Sequence, residues 1–287
     1  MGFRSIQHIL PSSVIDMAGT SIKQALPTQN VEQISPFLLL HHFGPFQVEA
    51  GQDPFDVAPH PHRGFEPVTF LYQGGIRHKD SRGNEGHLEE GDVQWMTAGR
   101  GIIHSERASK KFLNTGGTME GIQLWINLPQ NQKMRSPRYQ NLKKDSIPQW
   151  EDKDGHVRVN IVAGTWKGTP GPAQTQTPIL ALQIELDQGY STEVEIPHTY
   201  NAMAYVVKGT LTSSNGFDYE AGTLLHYATD GTSVEVRAKS NSSILFLAGA
   251  PIDEPLAQWG PYVMNTQTEI LEAMRDYQMG KMGFYID

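Results

Sequence analysis

Two short runs carry the residues of this chain best suited to chemistry: His60 and His62 in HPH, and His104 and Glu106 in HSE. In an extended strand residues i and i+2 point to the same side, so each run offers two donors on one face without strain. Two such strands, paired or facing each other inside a barrel, would close three imidazoles and one carboxylate around a single divalent ion. Three neutral imidazoles and one carboxylate leave that ion a net charge of +1, which suits one monoanionic ligand such as an enolate or phenolate. Four protein donors also leave positions open on a five- or six-coordinate ion, a catalytic pattern more than a structural one. Iron(II) fits oxygen chemistry best, while copper, manganese, nickel and zinc accept the same donors. Glu66 shares the alternation parity of His60 and His62, so spacing leaves it open as the carboxylate ligand in place of Glu106. Its other reading is an acceptor for the N–H of a ligand imidazole.

The remaining histidines lack such partners. His41 and His42 are adjacent and face opposite ways in a strand, so at most one lines a cavity. His78 and His87 sit among turn residues and are expected to be solvated, and His198 and His226 have no HxH or HxE neighbour. Phe43, Phe65, Phe70, Tyr72, Trp95 and Trp125 read mostly as core, with a few left to line an apolar pocket for a planar substrate. The sequence holds no phosphate-cradling Gly-rich loop, no GxSxG elbow and no Cys nucleophile.

The elements that must position the donors follow from alternation. Strand-like runs occur at 36–41, EPVTFLY (66–72), GDVQWMTA (91–98), GIIHSE (101–106) and EGIQLWINL (120–128), where Ile122, Leu124 and Ile126 share one face. Further runs lie at 157–164, 179–186, 202–209, 222–228, 233–238 and 243–251. Between the two sets, residues 129–150 are Pro-containing, basic and aperiodic, and read as a connector. The halves echo each other, PVTFLYQG (67–74) with AMAYVVKG (202–209) and LEEGDVQWM (88–96) with YEAGTLLHY (219–227), as a duplicated domain would. The expectation is therefore one β domain over 1–135 that carries the donor runs, and a second over 136–287 that ends in a helix. That helix is read from TQTEILEAMRDYQMGK (266–281): Thr266 and Glu269 make a capping-box pattern, Ile270, Met274 and Tyr277 recur at helical spacing, and Gly280 ends the run.

Composition agrees. The 287 residues, 38% hydrophobic and 19% charged, suffice for a large core, and 28 Gly with 18 Pro spread along the chain suit many short strands joined by tight turns. A net charge of -8 disfavours direct nucleic-acid binding. With no Cys, neither disulfides nor thiolate ligation is available. The absence of a long apolar run leaves export and membrane spanning unsupported, so a cytoplasmic location is the expectation.

At HPHRGFE (60–66), HKDSRGNEG (78–86), GDVQWMTAGRGIIHSE (91–106), GPYVMNTQTEI (260–270) and DYQMGKMG (276–283) the sequence resembles the pirin family of the cupin superfamily. The resemblance implies an all-β bicupin: two jelly-roll type barrels packed face to face, with one mononuclear iron in the first and an empty site in the second. It implies His60, His62, His104 and Glu106 as ligands, which favours Glu106 over Glu66. It also implies an activity like that of quercetin 2,3-dioxygenase, opening a planar flavonol ring with O2 and releasing carbon monoxide, with Glu106 as candidate base. The rival implication is a non-catalytic, metal-dependent regulator that binds a protein partner, either a transcription factor or a metabolic enzyme.

Overall fold

The alternation becomes strands in the computed structural model, which describes residues 2–17, 19–53, 56–213 and 215–286. In chain order the first twelve strands are β1 (Ile6–Pro11), β2 (Ser13–Met17), β3 (Thr20–Leu26), β4 (Phe37–Val48), β5 (Val57–His62), β6 (Phe65–Gln73), β7 (Gly75–Asp80), β8 (Glu85–Glu89), β9 (Val93–Thr97), β10 (Ile102–Ala108), β11 (Gly117–Asn127) and β12 (Arg138–Leu142). The chain is an all-β bicupin with a C-terminal helix, and it divides into two compact units. A front unit gathers residues 14–22, 37–144 and 252–287; a rear unit gathers 1–13, 23–36 and 145–251.

This division differs from the expected 1–135 and 136–287. The front sheet runs β12-β9-β6-β11-β4-β3-β2, so β12, expected to be part of a featureless connector, is its edge strand. The rear sheet begins with β1 at its edge and continues through 223–227, 201–208, 242–249, 179–186, 157–163 and 149–151. The tail, expected with the second barrel, returns to the front unit. An open sheet edge presents unpaired N–H and C=O groups, and segments from outside each expected half cover those edges. Position by position the two sheets match: β6 lies between β9 and β11, as 201–208 lies between 223–227 and 242–249. Of these, β6 with 201–208 and β9 with 223–227 are the pairs whose sequences echo each other.

The cores follow the period of two. In the front unit Phe43, Leu71, Ile76, Leu88 and Met119 cluster, and in the rear unit Leu182, Ile184, Ala204, Val206, Ile244 and Phe246 do so from three adjacent strands. The front unit also has a four-stranded sheet, β5-β10-β7-β8, which carries both donor runs.

Two devices fix that small sheet. Gly64, at φ +88° in the β5–β6 turn, runs so close to Val263 that a Cβ would lie 1.9 Å from its carbonyl oxygen. The buried Lys133 Nζ donates to the carbonyls of Gly64 (2.8 Å) and Val263 (3.0 Å) and to Asn127 Oδ1 (2.6 Å). Burial lowers its pKa to about 7, with Glu254 and Glu269 opposing, and three acceptors match the three hydrogens of an ammonium. Lys133→Met takes the side-chain donor from the Gly64 and Val263 carbonyls, while Asn127 Oδ1 keeps the Leu128 amide at 2.9 Å, and is expected to cost roughly 3 kcal/mol, a fall of about 5–10 °C in melting temperature by calorimetry. An unchanged transition would show that the clip contributes nothing.

The C-terminal helix, Gln267–Gln278, starts at the anticipated capping box, with Thr266 and Glu269 bonded reciprocally. It buries Ile270 and Ala273 in a cluster with Ile103, Tyr262, Met264 and Met282, and Arg63 Nη2 donates to Asp276 Oδ2 at 3.0 Å. Tyr277, expected on the buried stripe, is partly exposed. No helix among the described residues is long and apolar enough to cross a membrane.

Candidate metal centre

Antiparallel pairing of β5 with β10 sets His60 opposite His104 and Ile102 opposite His62. The three imidazoles therefore converge: ring centroids lie 4.6 Å (His60 and His62), 4.4 Å (His60 and His104) and 4.9 Å (His62 and His104) apart. One nitrogen from each lies within 4.8 Å of the others. His60 Nδ1 is 2.9 Å from the Ala58 carbonyl. A carbonyl only accepts, so that nitrogen holds a hydrogen and Nε2 is the atom left to ligate a metal. His60 Nε2 in turn lies 3.0 Å from His62 Nε2. Burial, reinforced by repulsion from His60, holds the His62 and His104 imidazoles well below their ordinary value. Both are therefore neutral near pH 7, the state that ligates metal. His104 Nε2 is buried without a hydrogen-bond partner. A buried lone pair with no donor is costly, and a cation among the three imidazoles would satisfy it; the donors present fit a divalent ion.

The carboxylates separate. Glu106, on the same face of β10, lies within 4.8 Å of His104 and His78 but does not share one cluster with His60 and His62. It accepts from Gln94 Nε2 at 2.7 Å and Gln123 Nε2 at 3.3 Å. The Thr69 hydroxyl, 3.2 Å away, also lies 2.8 Å from Gln123 Oε1. Gln94, Thr69, Gln123 and His41 stand directly opposite one another across β9, β6, β11 and β4, a polar row of which two members donate amide N–H to Glu106. Glu66, on β6, accepts from Thr97 Oγ1 at 2.6 Å and belongs to neither histidine cluster.

β10 is held from its other face. Ser105 Oγ lies 2.6 Å from the Tyr285 hydroxyl, and Ser81 Oγ, which accepts from the Ile103 amide, donates to the Met282 carbonyl. On the site's flank Phe65 and Trp125 stack at 4.3 Å, with Phe65 4.9 Å and Trp125 5.4 Å from the His62 ring.

His78 departs from expectation. It is fully buried on β7, opposite Glu106, and stacks on Tyr139 at 4.5 Å. The signal was the alternation Ile76-x-His78-x-Asp80, all buried, which the charged residues between them obscured. His87 is exposed, as expected. His226 is not isolated: its Nδ1 lies 3.0 Å from His8 Nδ1. His42 pairs with Glu120 at 3.1 Å.

These observations meet known proteins at one point. A family profile described as "Pirin" matches residues 19–126, and one described as "Pirin C-terminal cupin domain" matches 181–283. A pirin-like protein of Solanum lycopersicum is 39% identical over 284 residues, covering 97% of this chain and 92% of its own length. The chain belongs to the pirin family. Mouse Pirin is 35% identical over 271 residues, covering 93% of this chain and 89% of its own. Among solved structures, that of a quercetin 2,3-dioxygenase from Acinetobacter baumannii superposes with a TM-score of 0.93 at 32% identity, over 99% of this chain and 100% of that one.

The buried His41 of this pirin is expected to add to its acid sensitivity. Burial pushes the His41 imidazole down to about 4. Between pH 6.5 and 4 the unfolded chain binds the proton that the folded one refuses, so stability falls as pH falls through that window. Thermal melts from pH 7 to 5 are expected to show a steady loss that His41→Gln makes shallower; equal slopes would exclude the assignment.

Proposed function

We propose that the chain is a metal-dependent dioxygenase for planar flavonol-like phenols, opening a quercetin-like ring with O2 and releasing carbon monoxide. The observation that carries this reading is the meeting of three imidazoles with a carboxylate that two amide donors hold beside one of them. His60, His62 and His104 would hold the ion with Glu106 as the fourth donor, and the ion when bound supplies a Lewis-acidic, redox-active centre for O2. Glu106 is placed as the acceptor for the substrate's hydroxyl proton. Trp125, partly buried and backed by the fully buried Phe65, offers aromatic surface beside His62 for a planar ring. Both oxygen atoms enter carbon products, so no separate reductant is needed. The likeness to the Acinetobacter baumannii protein named quercetin 2,3-dioxygenase supports the same reading.

The test is anaerobic reconstitution of apo-protein with iron(II), copper, manganese, nickel or zinc, followed by quercetin and O2, reading oxygen uptake and carbon monoxide. Turnover is expected with at least one redox-active ion, iron(II) first. Metal uptake without turnover for any ion would overturn the enzyme reading in favour of a metal-dependent regulatory binder.

A further inference from the structure

We propose that His78 and Asp80 form a positioning relay behind His104, fixing its tautomer so that the Nε2 lone pair is the one offered to a metal. The inference rests on the metal-centre reading above. It starts from the far end of the relay. Asp80 Oδ1 accepts from the backbone amides of Arg82 (2.8 Å) and Asn84 (3.0 Å), and Oδ2 accepts from Asn84 Nδ2 at 2.8 Å. Burial alone would raise this carboxyl, but the hydrogen bonds from His78, Asn84 and the two amides bring it below its ordinary value. Asp80 is therefore a fixed anion that only accepts.

Each assignment then forces the next. His78 Nε2 lies 3.4 Å from Asp80 Oδ2, so Nε2 carries a hydrogen, and in the neutral ring that the relay requires His78 Nδ1 keeps a lone pair. His104 Nδ1 lies 3.4 Å from His78 Nδ1, so it is His104 that carries the hydrogen there. The second nitrogen of His104 is then the bare one, and Nε2 is the buried atom without a hydrogen-bond partner. The ring of His78 cannot turn to another arrangement easily, since Tyr139 stacks on it with planes 17° apart. His78 and Asp80 touch no substrate in this scheme. They act through His104, and their anionic terminus strengthens its donor nitrogen.

The relay predicts that a substitution removing no ligand should still weaken metal binding. In Asp80→Asn the backbone amides can still bond to the side-chain oxygen, but an N–H then faces His78 Nε2. His78 turns its hydrogen to Nδ1, and His104 is driven to carry its own on Nε2, the atom the metal needs. With Co(II) as the probe, anaerobic chelator competition and the visible ligand-field spectrum would be read for full-length wild type, Asp80→Asn, His78→Leu and His78→Asn. Asp80→Asn and His78→Leu are expected to bind Co(II) roughly 10- to 100-fold more weakly, with an altered spectrum. His78→Asn keeps an acceptor near the former Nδ1 and is expected to recover most of the affinity. Wild-type affinity in both Asp80→Asn and His78→Leu, whatever their melting temperatures, would overturn the relay and leave these residues a structural role. So would His78→Asn binding as poorly as a well-folded His78→Leu. Failure of wild type to bind Co(II) at all would overturn the metal-centre reading itself, and the relay with it.

Discussion

A His62→Ala variant is expected to purify with about a tenth or less of the wild-type metal content while keeping the wild-type circular dichroism spectrum. His62 is one of three converging imidazoles, so two imidazoles and the Glu106 carboxylate beside His104 remain after its loss. Two imidazoles hold a divalent ion far more weakly than three, and Glu106 clusters with His104 and not with His60. The fold should survive, because the apolar cluster of Phe43, Leu71, Ile76, Leu88 and Met119 does not include His62. Some stability is lost where Phe65 and Trp125 pack against the vanished ring and where the 3.0 Å hydrogen bond to His60 Nε2 disappears. Elemental analysis beside a thermal melt separates the two effects. Stoichiometric metal in this variant would contradict the ligand assignment. Glu66→Gln is the companion control: metal lost there, and not in His62→Ala, would move the site to the carboxylate that Thr97 holds.

What the sequence reveals about this centre follows from how local each signal is. His60, His62, His104 and Glu106 stand out because a two-residue repeat in a strand is a local pattern, and parity alone puts each pair on one face. The strands at 65–73, 117–127, 179–186 and 242–249 are legible for the same reason. His78 hides because its strand, GIRHKD, places Arg77 and Lys79 between the buried residues. The polar row of Gln94, Thr69, Gln123 and His41 hides more deeply, since its four members come from four strands and meet only through register. Register between distant strands depends on turn lengths and bulges that no single segment encodes. The exchange of chain ends hides likewise: β1 looks like any exposed strand until it pairs with 223–227, and β12 lies in a stretch whose Pro and charge suggest a linker. The choice between Glu66 and Glu106 is open by parity, and is narrowed by the separate sheets that carry them.

Glu106→Gln tests the proposed chemistry rather than the assembly of the site. The substitution keeps the side chain's shape and removes its charge, so an oxygen can still accept from Gln94 or Gln123, while the new amide must find an acceptor among groups that already donate. Gln94 Oε1, buried without a hydrogen-bond partner, and Gln123 Oε1, bonded to the Thr69 hydroxyl, are acceptors in the row, so the packing can adjust. What cannot be replaced is the proton-accepting oxygen. A neutral amide does not take a phenolic proton, and the loss of a positioned base typically lowers turnover by about 100- to 10,000-fold. The three imidazoles still hold an ion, weaker by the loss of one anionic donor, so the assay must run at metal concentrations that saturate the variant. Under those conditions quercetin-dependent oxygen uptake and carbon monoxide release are expected to fall together by at least about 100-fold. If kcat at saturating metal matched wild type, the proton would have to leave by another route, and Glu106 would be reduced to a ligand. A fall in uptake that metal excess restores would say the same.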